Sequence, residues 1–237
     1  MTSNRLFMAV ALSASLLAGA AHAMGKTEPR FTRVLIDQLE ARHLDAGTQF
    51  AWDASVWHGG DLNKLYLVSE GERLNGDTGH LETRAAWSHA FAPFWDWQIG
   101  VRRDWQPDQP NRDWASVGLQ GLAPYFFATD INLFIGEGGR TNLRLNTEYD
   151  LLFTQRLVLT PALEANLHGK EDKELGIGAG LASLEAGLRL RYEINRRFAP
   201  YLGIHWHKQF GDTAAFTRQR GGGVEETSLV VGLRVWY

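Results

Sequence analysis

The sequence predicts an all-β protein: a closed antiparallel transmembrane up-and-down β-barrel of about twelve strands. Three observations predict it. Segment after segment alternates with period two between an apolar face and an ionic one. The connections between segments alternate between short and long. The aromatic load is high, with Trp 9, Phe 12 and Tyr 6, in a chain whose mean hydropathy is only −0.26, as an aromatic belt at a water and lipid boundary requires.

Composition narrows the function. A net charge of −3 gives no electrostatic footprint for nucleic acid. With Cys 0 there is no disulfide framework, thiolate metal site, catalytic thiol or lipidated cysteine. No apolar run after the amino terminus is long enough for a membrane helix.

The first residues read as an export signal, residues 1–23. Asn4 and Arg5 open it, Leu6 to Leu17 form its apolar stretch, and Ala21-His22-Ala23 is the small-x-small cleavage pattern. The mature chain is expected to begin at Met24, with a short periplasmic segment at 24–32 and the barrel over 33–237. Export without cysteine points to a Gram-negative periplasm or outer membrane.

The strands follow in order. Arg33 to His43 is the first, although Gln38-Leu39-Glu40-Ala41-Arg42 would also suit a helix turn or two. Phe50 to His58 and Asn63 to Glu72 are split by the tight turn Gly59-Gly60-Asp61. His80 to Ala90 precedes Trp95 to Trp105, which sets Trp95, Trp97, Ile99 and Val101 outward and Asp96, Gln98, Arg102 and Asp104 inward. Trp114 to Gly121 and Tyr125 to Gly136 come next. In Thr141 to Phe153, Leu143, Leu145, Tyr149, Leu151 and Phe153 oppose Arg144, Asn146, Glu148 and Asp150. Leu157 to His168 sets four leucines against Arg156, Thr160, Glu164 and Asn166, and Leu181 to Ile194 sets Leu184, Leu188, Leu190, Tyr192 and Ile194 against Glu185, Arg189, Arg191 and Glu193. Tyr201 to Phe210 precedes a closing strand, Thr227 to Tyr237, whose Leu229, Val231, Leu233, Val235 and Tyr237 share one face and which ends on an aromatic ring.

A soluble sandwich also alternates, so what decides is the cargo of the polar face. Arg and Glu of both signs stand at mid-strand, opposite faces that are almost purely aliphatic and aromatic. Lipid outside and a wet, ion-paired lumen inside satisfy both faces, whereas water outside would leave too many aromatics exposed.

The connections give a sidedness. Phe91-Ala92-Pro93-Phe94, Leu122-Ala123-Pro124-Tyr125 and Phe198-Ala199-Pro200-Tyr201 are near-repeats read as short turns, as are Gly59 to Leu62 and Thr154 to Arg156. Arg73 to Gly79, Gln106 to Arg112, Gly169 to Gly180 and Gly211 to Glu226 are longer and rich in Gly, Asp and Glu. Barrels of the outer membrane have short periplasmic turns and longer external loops, so both termini are expected in the periplasm.

With these segments laid out, the chain resembles the copper resistance protein B family of bacterial outer-membrane proteins, from about Asp37 to Tyr237. The match is carried by Trp57-His58-Gly59-Gly60-Asp61-Leu62-Asn63-Lys64-Leu65 with Ser69-Glu70-Gly71-Glu72, and by Pro93-Phe94-Trp95-Asp96 with Gly100-Val101-Arg102. Gly118-Leu119-Gln120-Gly121-Leu122-Ala123-Pro124-Tyr125, Glu148-Tyr149-Asp150-Leu151-Leu152 and Gly187-Leu188-Arg189-Leu190-Arg191-Tyr192-Glu193-Ile194 extend it. The resemblance implies a barrel of copper tolerance that binds copper ions or moves them across the outer membrane. Its implied partners are outer-membrane lipid, copper ions and a periplasmic copper-handling protein, with no organic cofactor and no enzymatic activity.

Members of the family often carry a Met- and His-rich extension ahead of the barrel. Here Met is 3 in all, two of them in the export signal, so copper chemistry falls to His and carboxylates, which suit Cu(II). His205-Trp206-His207 places two imidazoles on one face of the penultimate strand, and Glu193 or Glu185 on the preceding strand could add a third ligand. Against this, strand pairing is expected to set Arg189 beside His205, and two solvated lumen histidines are the bland reading. The inward set Glu70, Glu72, Arg102, Asp104, Arg144, Glu148, Asp150, Glu164, Glu185, Arg189 and Arg191, joined by Glu193, reads as a cation path or as a paired network filling a narrow lumen.

Two other functions stay open on the residues: a barrel hydrolase acting on lipid, for which Ser88-His89 would be half a site, and a general small-solute pore. Gly176-Ile177-Gly178-Ala179-Gly180 lacks the Lys-Ser or Lys-Thr of a phosphate loop and reads as external loop. His43, His58, His80 and His168 are expected near strand ends or in loops.

Overall fold

The computed structural model describes residues 29–44, 47–75, 77–107 and 109–237. The expected export signal at 1–23 and the stretch 24–28 lie outside the described residues. Thirteen strands form one sheet: β1 (Phe31–Leu44), β2 (Gly47–Gly59), β3 (Asn63–Leu74), β4 (Asp77–Ala92), β5 (Trp95–Trp105), β6 (Arg112–Ala123), β7 (Phe127–Gly136), β8 (Thr141–Glu148), β9 (Leu151–Leu152), β10 (Leu157–His168), β11 (Gly180–Tyr192), β12 (Phe198–Gln209) and β13 (Glu225–Trp236). The first strand is therefore extended throughout, and its helical alternative falls away. β8 and β9 both pair with β10, one stave broken at Tyr149 and Asp150. β13 pairs back onto β1, from Leu35 with Trp236 to His43 with Leu229. Twelve antiparallel staves thus close the sheet and leave no edge to seek a partner.

Burial is inverted relative to a protein folded in water. Val101, Leu202, Leu229 and Val231 point outward at 62, 63, 67 and 59 % exposure, while Glu40, Ser88, Asn142 and Ser228 are buried inside. A continuous apolar exterior of this kind is stable only against hydrocarbon, and a closed barrel satisfies its backbone there by strand-to-strand hydrogen bonds alone. Among the described residues no helix is long and apolar enough to cross a membrane, as expected where strands do the crossing. Trp87 packs edge-on against Trp97 at 4.8 Å near the end that carries both termini. Phe94, Tyr125, Phe126 and Tyr237 are also exposed at that end.

Two inward aromatics sit over cross-strand glycines. Tyr201 pairs with Gly232 and Trp114 with Gly136. A Cβ on Gly232 would stand 2.5 Å from the Tyr201 ring, so only glycine lets the phenol lie flat against the wall.

The connections correct several expectations. The long loop expected at Arg73 to Gly79 is absent, because β3 runs on to Leu74 and β4 begins at Asp77. Asn75-Gly76 is the pair that a tight hairpin favours, and Asn75 adopts the left-handed backbone it needs, φ +51. Phe198-Ala199-Pro200-Tyr201 is no turn but the opening of β12; the turn is made upstream, where Asn195 Oδ1 accepts the Arg197 N–H at 2.9 Å. The strand expected from Tyr125 begins at Phe127, after a 3-10 turn over Pro124–Phe126. The stretch from Gly211, read as a loop, contains helix α1 (Gly211–Gln219).

The alternation of short and long connections holds only in part, since the β3–β4 and β7–β8 connections at the end opposite the termini are short as well. Every connection at the terminus end is short, and the three long ones, over 106–111, 169–179 and 210–224, all lie at the opposite end.

Candidate functional site

The barrel encloses a lumen of about 900 Å³. Eleven carboxylates and seven arginines line it, together with His80, His168, His205 and His207. Of the residues expected to face inward, Glu70, Glu72, Arg102, Asp104, Arg144, Glu148, Glu164, Glu185 and Arg189 line this chamber. Asp150 and Arg191 do not: they border a separate pocket at the terminus end, joined by an ion pair of 2.8 Å.

Arg144 on β8 is the central strut. Its guanidinium reaches Glu82 on β4 at 2.7 Å, Glu70 on β3 at 3.1 Å and Glu164 on β10 at 3.5 Å, so one cation ties walls on opposite sides of the lumen. Arg102 on β5 adds bonds to Glu82 at 3.0 Å and to Asp104 at 2.7 Å, and stacks on Phe134 at 4.4 Å. Glu82 and Arg84 were missed in the sequence reading, although His80, Glu82 and Arg84 recur at every second position of β4 and are legible by the same alternation.

A second cluster joins β1 to β11 and β12. Glu40 is 1 % exposed. It accepts from Arg189 at 2.5 Å, from Arg42 at 2.9 Å and from the Tyr201 hydroxyl at 3.0 Å. A buried carboxylate with three donors is satisfied, and removing either arginine would leave its charge less compensated.

His205 and His207 line the chamber beside this cluster. Register sets Gly187 opposite His205 and Glu185 opposite His207. Glu185 Oε2 lies 3.5 Å from His205 Nε2. Glu193 is not brought to the imidazoles: six residues beyond Gly187 on the way to the terminus end, it borders the smaller pocket with Asp150 and Arg191. The cation expected beside His205 is there, but its nearest nitrogen belongs to Arg42, whose Nη1 is 3.3 Å from His205 Nε2. Since guanidinium can only donate, Nε2 is the acceptor and Nδ1 carries the proton. That Nδ1 is buried without a hydrogen-bond partner.

His80, Glu82 and Asp104 also bring ligand atoms within 4.8 Å of one another. His80 lies near the start of β4 and faces the lumen. Both carboxylates of that group are already held by Arg102 or Arg144, which opposes a metal ion there. His168 also lines the lumen, 3.3 Å from Asn142 Nδ2.

The lipid-hydrolase half-site is not formed. Ser88 is fully buried in the lumen and bonds Asp96 at 3.0 Å, whereas His89 points to the other face and meets Asn63 at 3.0 Å.

At the end opposite the termini, the 169–179 connection folds back over the chamber. Asp172 pairs with Ile177 in an isolated bridge, and Leu175 and Ile177 line the lumen. Asp172 is clasped by Arg112 and Arg140, each at 2.9 Å, and the Gly178 N–H donates to Thr213 of α1 at 2.8 Å. Loop and helix form a hood. Burial pulls the Asp172 carboxyl upward, but the hydrogen bond and charge of Arg112, with the Leu175 N–H and Arg140, hold it below the ordinary aspartate range.

Comparison with known proteins fits this architecture. The family model described as Copper resistance protein B precursor (CopB) matches residues 30–237. Copper resistance protein B of Escherichia coli is 44% identical over 204 residues, covering 86% of this chain and 69% of that protein. A Copper resistance protein B homolog of Pseudomonas syringae pv. tomato is 46% identical over 201 residues, covering 85% and 68%. Among solved structures, the NanC porin superposes with TM-score 0.55 at 12% identity, covering 86% of this chain and 99% of that one, a likeness of fold. An apolar barrel wall, an ionic lumen and a match spanning every stave lead to one conclusion: the chain belongs to the copper resistance protein B family, as an outer-membrane β-barrel of copper resistance.

Proposed function

We propose that the barrel binds Cu(II) in its lumen, at His205, His207 and Glu185, and passes it between the two sides of the outer membrane. The observation that carries this is the placement of His205, His207 and Glu185 on neighbouring staves, with Glu185 Oε2 3.5 Å from His205 Nε2 and Glu185 opposite His207 in register, in a chamber with eleven carboxylates against seven arginines. An excess of fixed negative charge raises the local concentration of a cation and disfavours anions. Imidazole and carboxylate donors suit Cu(II), the ion that reaches an oxidising exterior. Arg42 Nη1 engages the His205 Nε2 lone pair that a metal would need, so loading requires that guanidinium to give up this contact while Glu40 keeps hold of its Nε.

The short turns lie at the end with both termini and the hood at the other, which supports termini in the periplasm and a hood facing outward. The protein acts as a binding and transport component and performs no catalysis.

Copper titration of the detergent-solubilised chain tests the site. The H205A/H207A variant should lose the tightest Cu(II) event, and unchanged affinity would reject the assignment. Whole-cell copper accumulation with and without the chain then gives the direction of movement. Conductance indifferent to copper in both wild type and variant would favour a general small-solute pore.

A further inference from the structure

The charge of the molecule changes sign along its axis. Below the acidic chamber, at the terminus end, lies a second pocket of about 160 Å³, lined by Arg33, Arg191, Arg196 and Arg234 against only Asp150 and Glu193. Arg234 borders both spaces and is pinned to Asp37 at 2.8 Å, so it forms part of the partition between them.

Arg191 is the informative residue. It is 6 % exposed. Its Nη2 is held by Asp150 at 2.8 Å, but its Nε is buried and has no hydrogen-bond partner. The other oxygen of Asp150 accepts from Thr160 at 2.7 Å. Arg191 lines a pocket edged by three further arginines, and the ligand of complementary charge for such a pocket is an anion. Guanidinium presents paired N–H groups in a planar fork that matches the oxygens of phosphate or carboxylate. The volume is enough, equal to roughly five waters at ~30 Å³ each.

We propose that this vestibule is a binding site for a small oxyanion of the phosphate or carboxylate class, held by Arg191 from the wall and by Arg33 and Arg196 from the rim. Arg33 and Arg196 are exposed, and Arg33 is positioned over the Trp236 ring at 5.9 Å. Glu193, on the same pocket, is the one carboxylate without an ion pair among the described residues there, and it opposes the anion. The inference does not depend on the copper reading, because its residues lie outside the acidic chamber apart from the shared Arg234.

Inorganic phosphate is the probe, titrated calorimetrically into the full chain in zwitterionic detergent at low ionic strength. One saturable event is expected. R33Q/R196Q, which alters only exposed side chains, should weaken it about tenfold, and E193Q should tighten it about threefold. K170Q, an exposed cation at the opposite end, should leave it unchanged, as should H205A/H207A. Absence of saturable binding, an unchanged affinity in R33Q/R196Q, or loss of binding in K170Q would each overturn the proposal. Failure of copper binding would leave all these outcomes as they stand.

Discussion

Arg42 Nη1 donates to His205 Nε2 across 3.3 Å, while Arg42 Nε is tied to Glu40 at 2.9 Å. The guanidinium therefore bridges a buried carboxylate and the imidazole proposed to meet copper. Replacing it with a neutral group of similar reach removes a positive charge from the ion's place and frees Nε2. R42Q should bind Cu(II) about three- to tenfold more tightly, the scale of one charge at a few ångströms in a partly wet site. Titration of wild type and R42Q side by side checks the direction, and weaker binding in R42Q would count against His205 as a ligand.

Arg144 gives a prediction about stability. Its three carboxylate partners include Glu82, which is 3 % exposed, so R144M strands a buried charge on the wall. Breaking one side of such a pair costs about 3–5 kcal/mol. The R144M barrel should unfold at lower temperature on heat-modifiability gels and conduct more in planar bilayers, because the strut across the lumen is gone. Adding E82Q should restore part of the lost temperature.

Asp172 makes the hood pH-sensitive only in acid. Its folded carboxyl titrates below its unfolded value, so the clasp contributes stability that is complete above the ordinary aspartate range near ~3.9 and is lost as pH falls through the folded value. Conductance and protease cleavage of 169–179 should stay flat from neutral pH to pH ~5 and rise only below ~4. D172N, which cannot accept from both arginines as a charge, should show the opened behaviour already at neutral pH.

Gly232 supplies a packing test. Its missing side chain is filled by the Tyr201 ring, and that ring sends its hydroxyl to Glu40. G232A should push the phenol away, deprive Glu40 of a donor and cost about 1–3 kcal/mol. Y201F keeps the ring and loses only the hydroxyl, so it should cost less; equal losses would mean that the hydrogen bond carries the whole effect.

The wall was legible residue by residue, since period-two alternation fixes which side chains see lipid: Ile99, Val101, Leu188, Leu190, Leu229 and Val231 all lie where the alternation puts them. Partners across the lumen were not. Nothing local in Arg144 says that it meets Glu82, because the distance between β8 and β4 is set by closure of the sheet. Glu193 was misplaced for a related reason: its parity is right, but its height on the wall follows from register, Arg191 opposite Tyr201, which a single sequence does not state. The hairpin at Asn75 was a missed turn signal, and α1 is a run of small and polar residues that becomes a helix where Thr213 can dock on Gly178.

The short β3–β4 connection and the hood over 169–179 and 210–224 occupy different arcs of the same rim. The mouth is thus a slope, low along β1 to β4 and high along β10 to β13. On the low flank Leu44 and Gln49 line the same chamber as the β12 histidines, which lie two staves from β1.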